Sequence, residues 1–560
     1  MARRAPGWTA ALVLAVLAGA AVSLLAPAAL AAAVDAALHR GARGGPPGAA
    51  LARLGGLLAA GALAGVAAAL AGACYEAAST AWLRRRLLAT ALGLGVAGQG
   101  RFHPGDLLSR IGADAPATAR VLPDLLGAGV AAVTAFGAVA ALGLIDWWLA
   151  AAFLLGLPPV VALVRAFVVR AAELFVRYQR HQAGIAARLV DALAGIRTIR
   201  ASGTADREAR RILDPLEELS ASGRGLWRVQ RRVAWGTALL VPLEETVVLA
   251  VAGLGLAAGR LTPGELLAAA GYVRLALGLF EQVDVLVAAA RARAGATRAA
   301  EVLDEPPALP AAGDLALPAA GRGAVSLRGV GVRAGGARLL DRLDLEVPAG
   351  ACVALVGRSG AGKTTLASLV GRLRDPEEGA VLLDGVPVAA LAPQALHQAV
   401  AYAFERPALL GGTVGGAVAY GRPSAPPAEV EAAARAAEAD GFVQRLPDGY
   451  ATPLERAPLS GGEAQRLGLA RAVAQGGRVL VLDDATSSLD TATEMKVSAA
   501  LAELPDGRTR IVVAHRAATA GRADLVAWLE GGRVRALAPH AALWDDADYR
   551  AVFAAREPSA

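Results

Sequence analysis

Six long apolar segments before residue 290 constrain this chain more than any other feature. They run roughly over 8–34, 54–75, 121–144, 147–169, 233–258 and 263–286, and each is long enough to cross a bilayer as a helix. Inside hydrocarbon every backbone N–H and C=O needs an internal partner, and an α-helix supplies one within a single segment. The mean hydropathy of +0.46 is therefore unevenly spread. Beyond about residue 320 the apolar runs shorten to the strands and helices of a soluble domain. Between the two lies a stretch with Pro306, Pro307, Pro310 and Pro318, the composition of a linker. The expected organisation is an all-α, six-helix transmembrane domain over 1–300, a linker over 301–324 and an α/β domain over 325–560.

The connections between the apolar segments differ in charge. Those after the first, third and fifth are short and carry Arg40, Arg43 and Arg260. Those after the second and fourth are long and basic, with Arg84, Arg85, Arg86, Arg101, Arg110 and Arg120, then a dense series from Arg170 to Arg232. The positive-inside rule places the N-terminus and both long connections in the cytoplasm. The net charge of +7 thus reads as membrane topology, and no nucleic-acid partner is expected. The first apolar run exceeds the h-region of a cleavable signal. Two cysteines, Cys74 and Cys352, supply no disulfide framework. Glu244 and Glu245 fall mid-span in the fifth segment and Arg274 in the sixth. Such groups either line a wet cavity or pair with one another.

In the soluble domain, Gly357-Arg358-Ser359-Gly360-Ala361-Gly362-Lys363-Thr364-Thr365 fits G-x-x-x-x-G-K-[ST]. An apolar strand, Cys352 to Val356, precedes it, and Leu366 to Val370 begins a helix. In that context backbone N–H groups and a helix N-terminus cradle phosphates. Gly357, Ser359, Gly360, Gly362, Lys363, Thr364 and Thr365 are the expected nucleotide ligands, with Lys363 on the β- and γ-phosphates and the Thr364 hydroxyl on Mg²⁺. The chain has only two lysines, Lys363 and Lys496. Lysine persists here because a compact point charge is not replaced by a planar guanidinium.

Downstream come Leu459-Ser460-Gly461-Gly462-Glu463, then Gln465-Arg466, then an apolar strand ending in Asp483-Asp484. Ala485-Thr486-Ser487-Ser488-Leu489-Asp490 follows, and a last strand, Ile511 to Ala514, ends at His515. A carboxylate at a strand end beside a P-loop is placed to hold Mg²⁺ through water, which assigns Asp483 with Thr364 to the metal. A second acid or a histidine at a neighbouring strand tip can orient the attacking water.

With these motifs in this order, the chain resembles a half-transporter of the ABC superfamily, exporter type. Gly105-Asp106-Leu107-Leu108-Ser109-Arg110 and Gly195-Ile196-Arg197-Thr198-Ile199-Arg200 also resemble the family's cytoplasmic loop sequences. The resemblance implies ATP-driven alternating access by a dimer, with each ATP held between one subunit's P-loop and the signature of the other. Ser460, Gly461 and Gly462 then complete the partner's site, and Asp484, His515 and Glu405 are the expected catalytic residues.

Three positions depart from the family pattern. Ala334 stands where an aromatic usually stacks on adenine, and no aromatic occurs between Phe280 and Tyr402. Glu405 replaces a glutamine, and Asp484 replaces the catalytic glutamate. A catalytic group displaced by ~1 Å costs on the order of 10²-fold in rate, unless a shifted water compensates. Lost base stacking costs ~1 kcal/mol, so the phosphate cradle keeps ATP bound.

The expectation is one half of a heterodimeric exporter that carries the degenerate ATP site. It would move a small molecule, lipid or drug-like compound across the bacterial inner membrane, with the ATPase domain cytoplasmic. Its expected partners are a second half-transporter, the lipid bilayer and a transported compound. The alternatives are a homodimeric active exporter, a siderophore-type importer of the same fold, and a nucleotide-gated regulator or channel.

Overall fold

A computed structural model describes residues 6–38, 47–95, 101–307, 309, 313–334, 336–503 and 507–554. Arg40, Arg43 and Pro310 lie outside the described residues, and of Ala334 only the backbone is described. The chain forms two compact units, 1–91 with 103–305 and 92–102 with 306–560.

The first unit is built from long helices, Pro6–Leu38, Pro47–Gly93, Ala115–Ile145, Trp147–Ala194, Leu216–Ala257, Pro263–Leu277 and Val283–Leu303. Among the described residues five helical stretches are long and apolar enough to cross a membrane, and only 11–22% of their most apolar windows is buried. Core helices of a water-soluble protein would turn such faces inward. Here Leu63, Phe136, Leu144 and Leu155 point outward instead, as lipid requires. The sixth apolar segment is divided. Its α-helix ends at Leu277, a 3₁₀ turn spans Gly278–Gln282, and a new helix begins at Val283. Gly278 is the weakest helix former at that point, which is where the ladder changes.

Polar side chains gather at opposite ends of this unit. Asp35 accepts from the Thr262 hydroxyl at 2.6 Å and from the Gly264 N–H at 2.8 Å. Arg260 donates to Asp146 at 2.6 Å, and Asp146 also caps the helix Trp147–Ala194. The connections after the first, third and fifth spans therefore meet on one side. At the other end, buried Arg110 donates to Asp106 at 2.8 Å and Glu301 at 2.9 Å, and Arg298 donates to Asp106 at 2.8 Å. Glu244 is buried against Gly156, where an added Cβ would meet its carboxylate. Among the described residues it makes no ion pair with Arg274, so the two charges serve different surroundings.

Among its described residues the second unit carries ten strands: β1 Val325–Ala334, β2 Ala337–Val347, β3 Cys352–Val356, β4 Glu378–Leu383, β5 Val386–Pro387, β6 Val400–Phe404, β7 Val479–Asp483, β8 Thr509–Val513, β9 Leu525–Glu530 and β10 Arg533–Ala538. A four-stranded antiparallel sheet has the order β2-β1-β4-β5, and a six-stranded sheet the order β10-β9-β3-β8-β7-β6. In the larger sheet every pairing except β9–β10 is parallel. Parallel strands covered on both faces need continuous apolar runs, and Val353–Val356 and Val479–Leu482 are buried throughout.

Candidate functional site

Parallel pairing brings distant parts of the sequence to one edge. The carboxyl ends of β3, β6, β7 and β8 lead into the P-loop, Glu405, Asp484 and the segment reaching His515, with Phe404 level with Asp483. Ligands of such sheets bind outside the carboxyl ends of the strands.

Gly360 and Gly362 adopt φ of 83° and 92°, conformations that L side chains rarely take, and these turn the loop into the helix Lys363–Val370. Gly357 has no room for a side chain, since a Cβ would lie 2.5 Å from the Leu529 carbonyl oxygen. Lys363 is buried and donates to the carbonyls of Gly357 at 2.8 Å and Arg358 at 3.1 Å. The far end of the helix is fixed by Tyr402, whose hydroxyl donates to Ala367 O at 2.8 Å and accepts from Gly371 N at 2.7 Å. Burial pushes that phenol well above its ordinary range, so it stays protonated and bonded.

A cavity of about 260 Å³ opens over this loop, lined by Ser359, Gly360, Gly362, Lys363, Thr364 and Thr365 together with Asp484 and His515. The Thr364 hydroxyl donates to Asp483 at 2.9 Å. Burial raises the Asp483 carboxyl above its usual range; Asp484 and Glu405 push the same way, while the Thr364 bond opposes them. Asp484 and His515 meet at 2.9 Å, with His515 Nε2 facing the Asp484 carboxylate. Glu405 lies at the adjoining cavity of about 770 Å³, which it shares with Asp484, Ser487, Glu494 and His515.

The donor set suits a nucleoside phosphate with a divalent cation. Among the described residues no three carboxylates, imidazoles or thiols converge tightly enough to hold a metal alone. Mg²⁺ is ordinarily held by one or two protein oxygens, waters and phosphates, which Thr364 and Asp483 can complement.

Ser460, Gly461 and Gly462 do not line the P-loop cavity. They open the helix Gly461–Gln475 in a capping box, where Ser460 Oγ accepts from Glu463 N at 3.3 Å and Glu463 accepts from Ser460 N at 2.8 Å. Those hydrogen bonds hold the Glu463 carboxyl below its ordinary range. The N-terminus of this helix faces outward, with Ser460 and Gly461 exposed.

Two supports were not visible as such in the sequence. Gln465 is 1% exposed, and its amide donates to the carbonyls of Glu405 at 2.9 Å and Asp484 at 3.2 Å and to Ser487 Oγ at 3.1 Å. Its oxygen accepts from Ser488 N at 3.0 Å. One side chain thus ties the ends of β6 and β7 to the loop after Asp484. Buried Glu494 holds the same loop from below, accepting from Thr486, Thr519 and Arg516. Asp484 itself has a φ of 52°, a conformation that asparagine and aspartate accept more readily than most residues. The signal that pointed to Gln465 was its place two residues after Glu463; its partners lie 19 to 60 residues away and no local pattern reveals them.

The described geometry agrees with what the chain is similar to. Residues 8–280 match the family model "ABC transporter transmembrane region", and residues 340–487 match "ABC transporter". The ABC transporter ATP-binding protein RamA of Streptomyces coelicolor is 49% identical over 454 residues, 81% of this chain and 71% of RamA. An ATP-dependent lipid A-core flippase of Chromobacterium violaceum is 35% identical over 480 residues, 82% of this chain and 80% of the flippase. The solved structure of a bacterial Atm1-family ABC exporter with ATP bound superposes with a TM-score of 0.77 at 28% identity, covering 100% of this chain and 99% of that one. A membrane unit of long helices, a P-loop at the edge of a parallel sheet and these matches lead to one conclusion: the chain belongs to the ABC transporter family, as a multi-pass half-transporter of the kind that works as a dimer and couples ATP hydrolysis to export.

Proposed function

We propose that this chain is the subunit of a heterodimeric exporter that binds ATP firmly in its own P-loop site but hydrolyses it weakly there. The observation that carries this reading is the strand-end pair Asp483-Asp484. Asp484 is one methylene shorter than the usual glutamate, and its carboxylate is engaged by His515 at 2.9 Å. A shorter, already bonded carboxylate is poorly placed to orient a water toward a γ-phosphate, and such misplacement costs about 10²-fold in rate. The phosphate cradle, by contrast, is backbone geometry and Lys363, which the change at Asp484 leaves untouched. Mg²⁺ would be held by the Thr364 hydroxyl and, through water, by Asp483, and it would neutralise charge on the transferred phosphoryl group. His515 is within reach of the cavity and would report the γ-phosphate.

The outward N-terminus of the helix Gly461–Gln475 would complete the partner's site with Ser460, Gly461 and Gly462. The arginine asymmetry supports a bacterial inner-membrane protein with the ATPase unit in the cytoplasm. The lipid-handling and multidrug-efflux names of relatives favour an amphipathic cargo, a lipid or drug-like compound. The test is ATP turnover by the purified chain alone, with bound nucleotide and released phosphate measured together. Nucleotide retention with phosphate release at least ten-fold below that of the assembled dimer is expected; equal rates would make it an active homodimer.

A further inference from the structure

Arg274 follows Pro263, the first residue of its helix, by eleven residues, about 16 Å along the axis. Counted from a helix start at the edge of a ~30 Å hydrocarbon layer, that distance reaches its middle. An arginine there is costly and marks a functional site by default. It lines a cavity of about 590 Å³, together with Ser23, Pro27, Thr134, Gly271 and Gln282. The volume lies within the range of small-ligand pockets.

The cavity forms where two helices approach closely. Gly271 faces Pro27, and a Cβ at Gly271 would come within 3.1 Å of the proline ring. Pro27 has no N–H, so the Ser23 carbonyl four residues before it receives none from that position. The Thr134 hydroxyl already donates to Val130 O at 2.9 Å. The donors that remain for a guest are the Arg274 guanidinium, the Gln282 amide and the Ser23 hydroxyl. Among the described residues no aspartate or glutamate lines the cavity, and Arg274 has no carboxylate partner. Its other walls are apolar, with Ala26, Ala131 and Leu275. A cationic guest would meet an uncompensated like charge, whereas a phosphate or carboxylate would receive the forked donors of the guanidinium.

We propose that this cavity binds the anionic head of an amphipathic molecule, a phosphate or carboxylate carried on an apolar body, and that Arg274 selects for negative charge. This rests on the reading that the chain exports amphipathic compounds, and it narrows that class to anionic ones.

The test is nucleotide-free binding to the full-length protein in detergent, read by native mass spectrometry. The probes are short-chain phosphatidylglycerol, short-chain phosphatidylcholine and, as a soluble anion, glycerol 3-phosphate. Wild-type protein retains phosphatidylglycerol about ten-fold better than phosphatidylcholine, and glycerol 3-phosphate does not displace it. R274Q and R274E bring the two lipids to parity, and R274K keeps part of the preference. Ser23→Asp, which supplies a carboxylate across the cavity with Arg274 intact, also removes the preference. A preference that survives R274E and Ser23→Asp overturns the assignment, as does equal retention of both lipids by wild type. Displacement by glycerol 3-phosphate overturns the amphipathic requirement. Because no ATP is present, these outcomes are independent of whether the chain drives ATP-dependent flux, which is measured separately in vesicles.

Discussion

The signature helix and the P-loop edge of the same ATPase unit differ in how much of their chemistry depends on a single side chain. At the helix Gly461–Gln475, Ser460 and Glu463 satisfy each other's backbone groups, and Gly461 and Gly462 keep the family motif. At the P-loop edge the cradle is equally well formed, with Gly360 and Gly362 in left-handed conformations and Lys363 buried. The sequence departs from the family pattern at Ala334, Glu405 and Asp484. Phosphate binding is distributed over backbone N–H groups, so it survives changes in neighbouring side chains. Under the proposed function hydrolysis depends instead on the length and aim of one carboxylate, Asp484, and is the property expected to weaken.

The largest effect that sharpens this contrast is expected at Ser460. Ser460→Arg places a bulky cation at the exposed helix end and is expected to lower ATPase activity of the assembled dimer more than 100-fold. The lost cap costs only about 1 kcal/mol, so the chain still folds, which circular dichroism checks. Next comes Gln465→Ala, which removes four hydrogen bonds, those to Glu405 O, Asp484 O, Ser487 Oγ and Ser488 N, whose residues are exposed or half-buried and can turn to water. At about 0.5–1.5 kcal/mol net per hydrogen bond, a loss of ~3 kcal/mol is expected in thermal unfolding of the ATPase unit. An unfolding temperature unchanged by this variant would remove Gln465 as the tie between the two strand ends.

Asp484→Glu is a smaller and more direct probe of the P-loop edge. It is expected to raise phosphate release at this site by up to about ten-fold, a partial rescue. The added methylene restores reach, but glutamate tolerates the left-handed φ of 52° less well than aspartate. No gain at all would place the defect at Glu405 or Ala334 instead. The smallest effect belongs to the capping box. The Glu463 carboxyl is lowered by its bonds to Ser460, so its stabilising contribution is present above its ordinary value and fades as pH falls through the folded-state value. Glu463→Gln is expected to flatten the acid limb of the unfolding curve by a few tenths of a kcal/mol, Glu463 being only half-buried at an exposed helix end.

The sequence made the cradle legible because its signal is local: a strand, a glycine-rich loop and a helix within about twenty residues. Five of the six expected apolar spans were legible for the same reason, as runs of sufficient length and apolarity, whereas the sixth is divided at Gly278. Parallel strand order was not local, and it is this order that sets Glu405, Asp484 and His515 beside the P-loop. Gln465 gained its partners only through that order. The 3₁₀ turn at Gly278–Gln282 and the burial of Glu244 against Gly156 also depend on packing between helices, which periodicity does not reveal. Arg274 was visible as a mid-span charge, but its separation from Glu244 became evident only when the two helices took their places.

The asymmetry itself is tested most directly by comparing Ser460→Arg with Asp484→Asn in membranes that carry both subunits. Ser460→Arg is expected to abolish ATP-driven transport while Asp484→Asn retains at least about half of it, because turnover runs in the site that Ser460 completes. Equal and severe losses from the two substitutions would contradict it and return the chain to a symmetric pump.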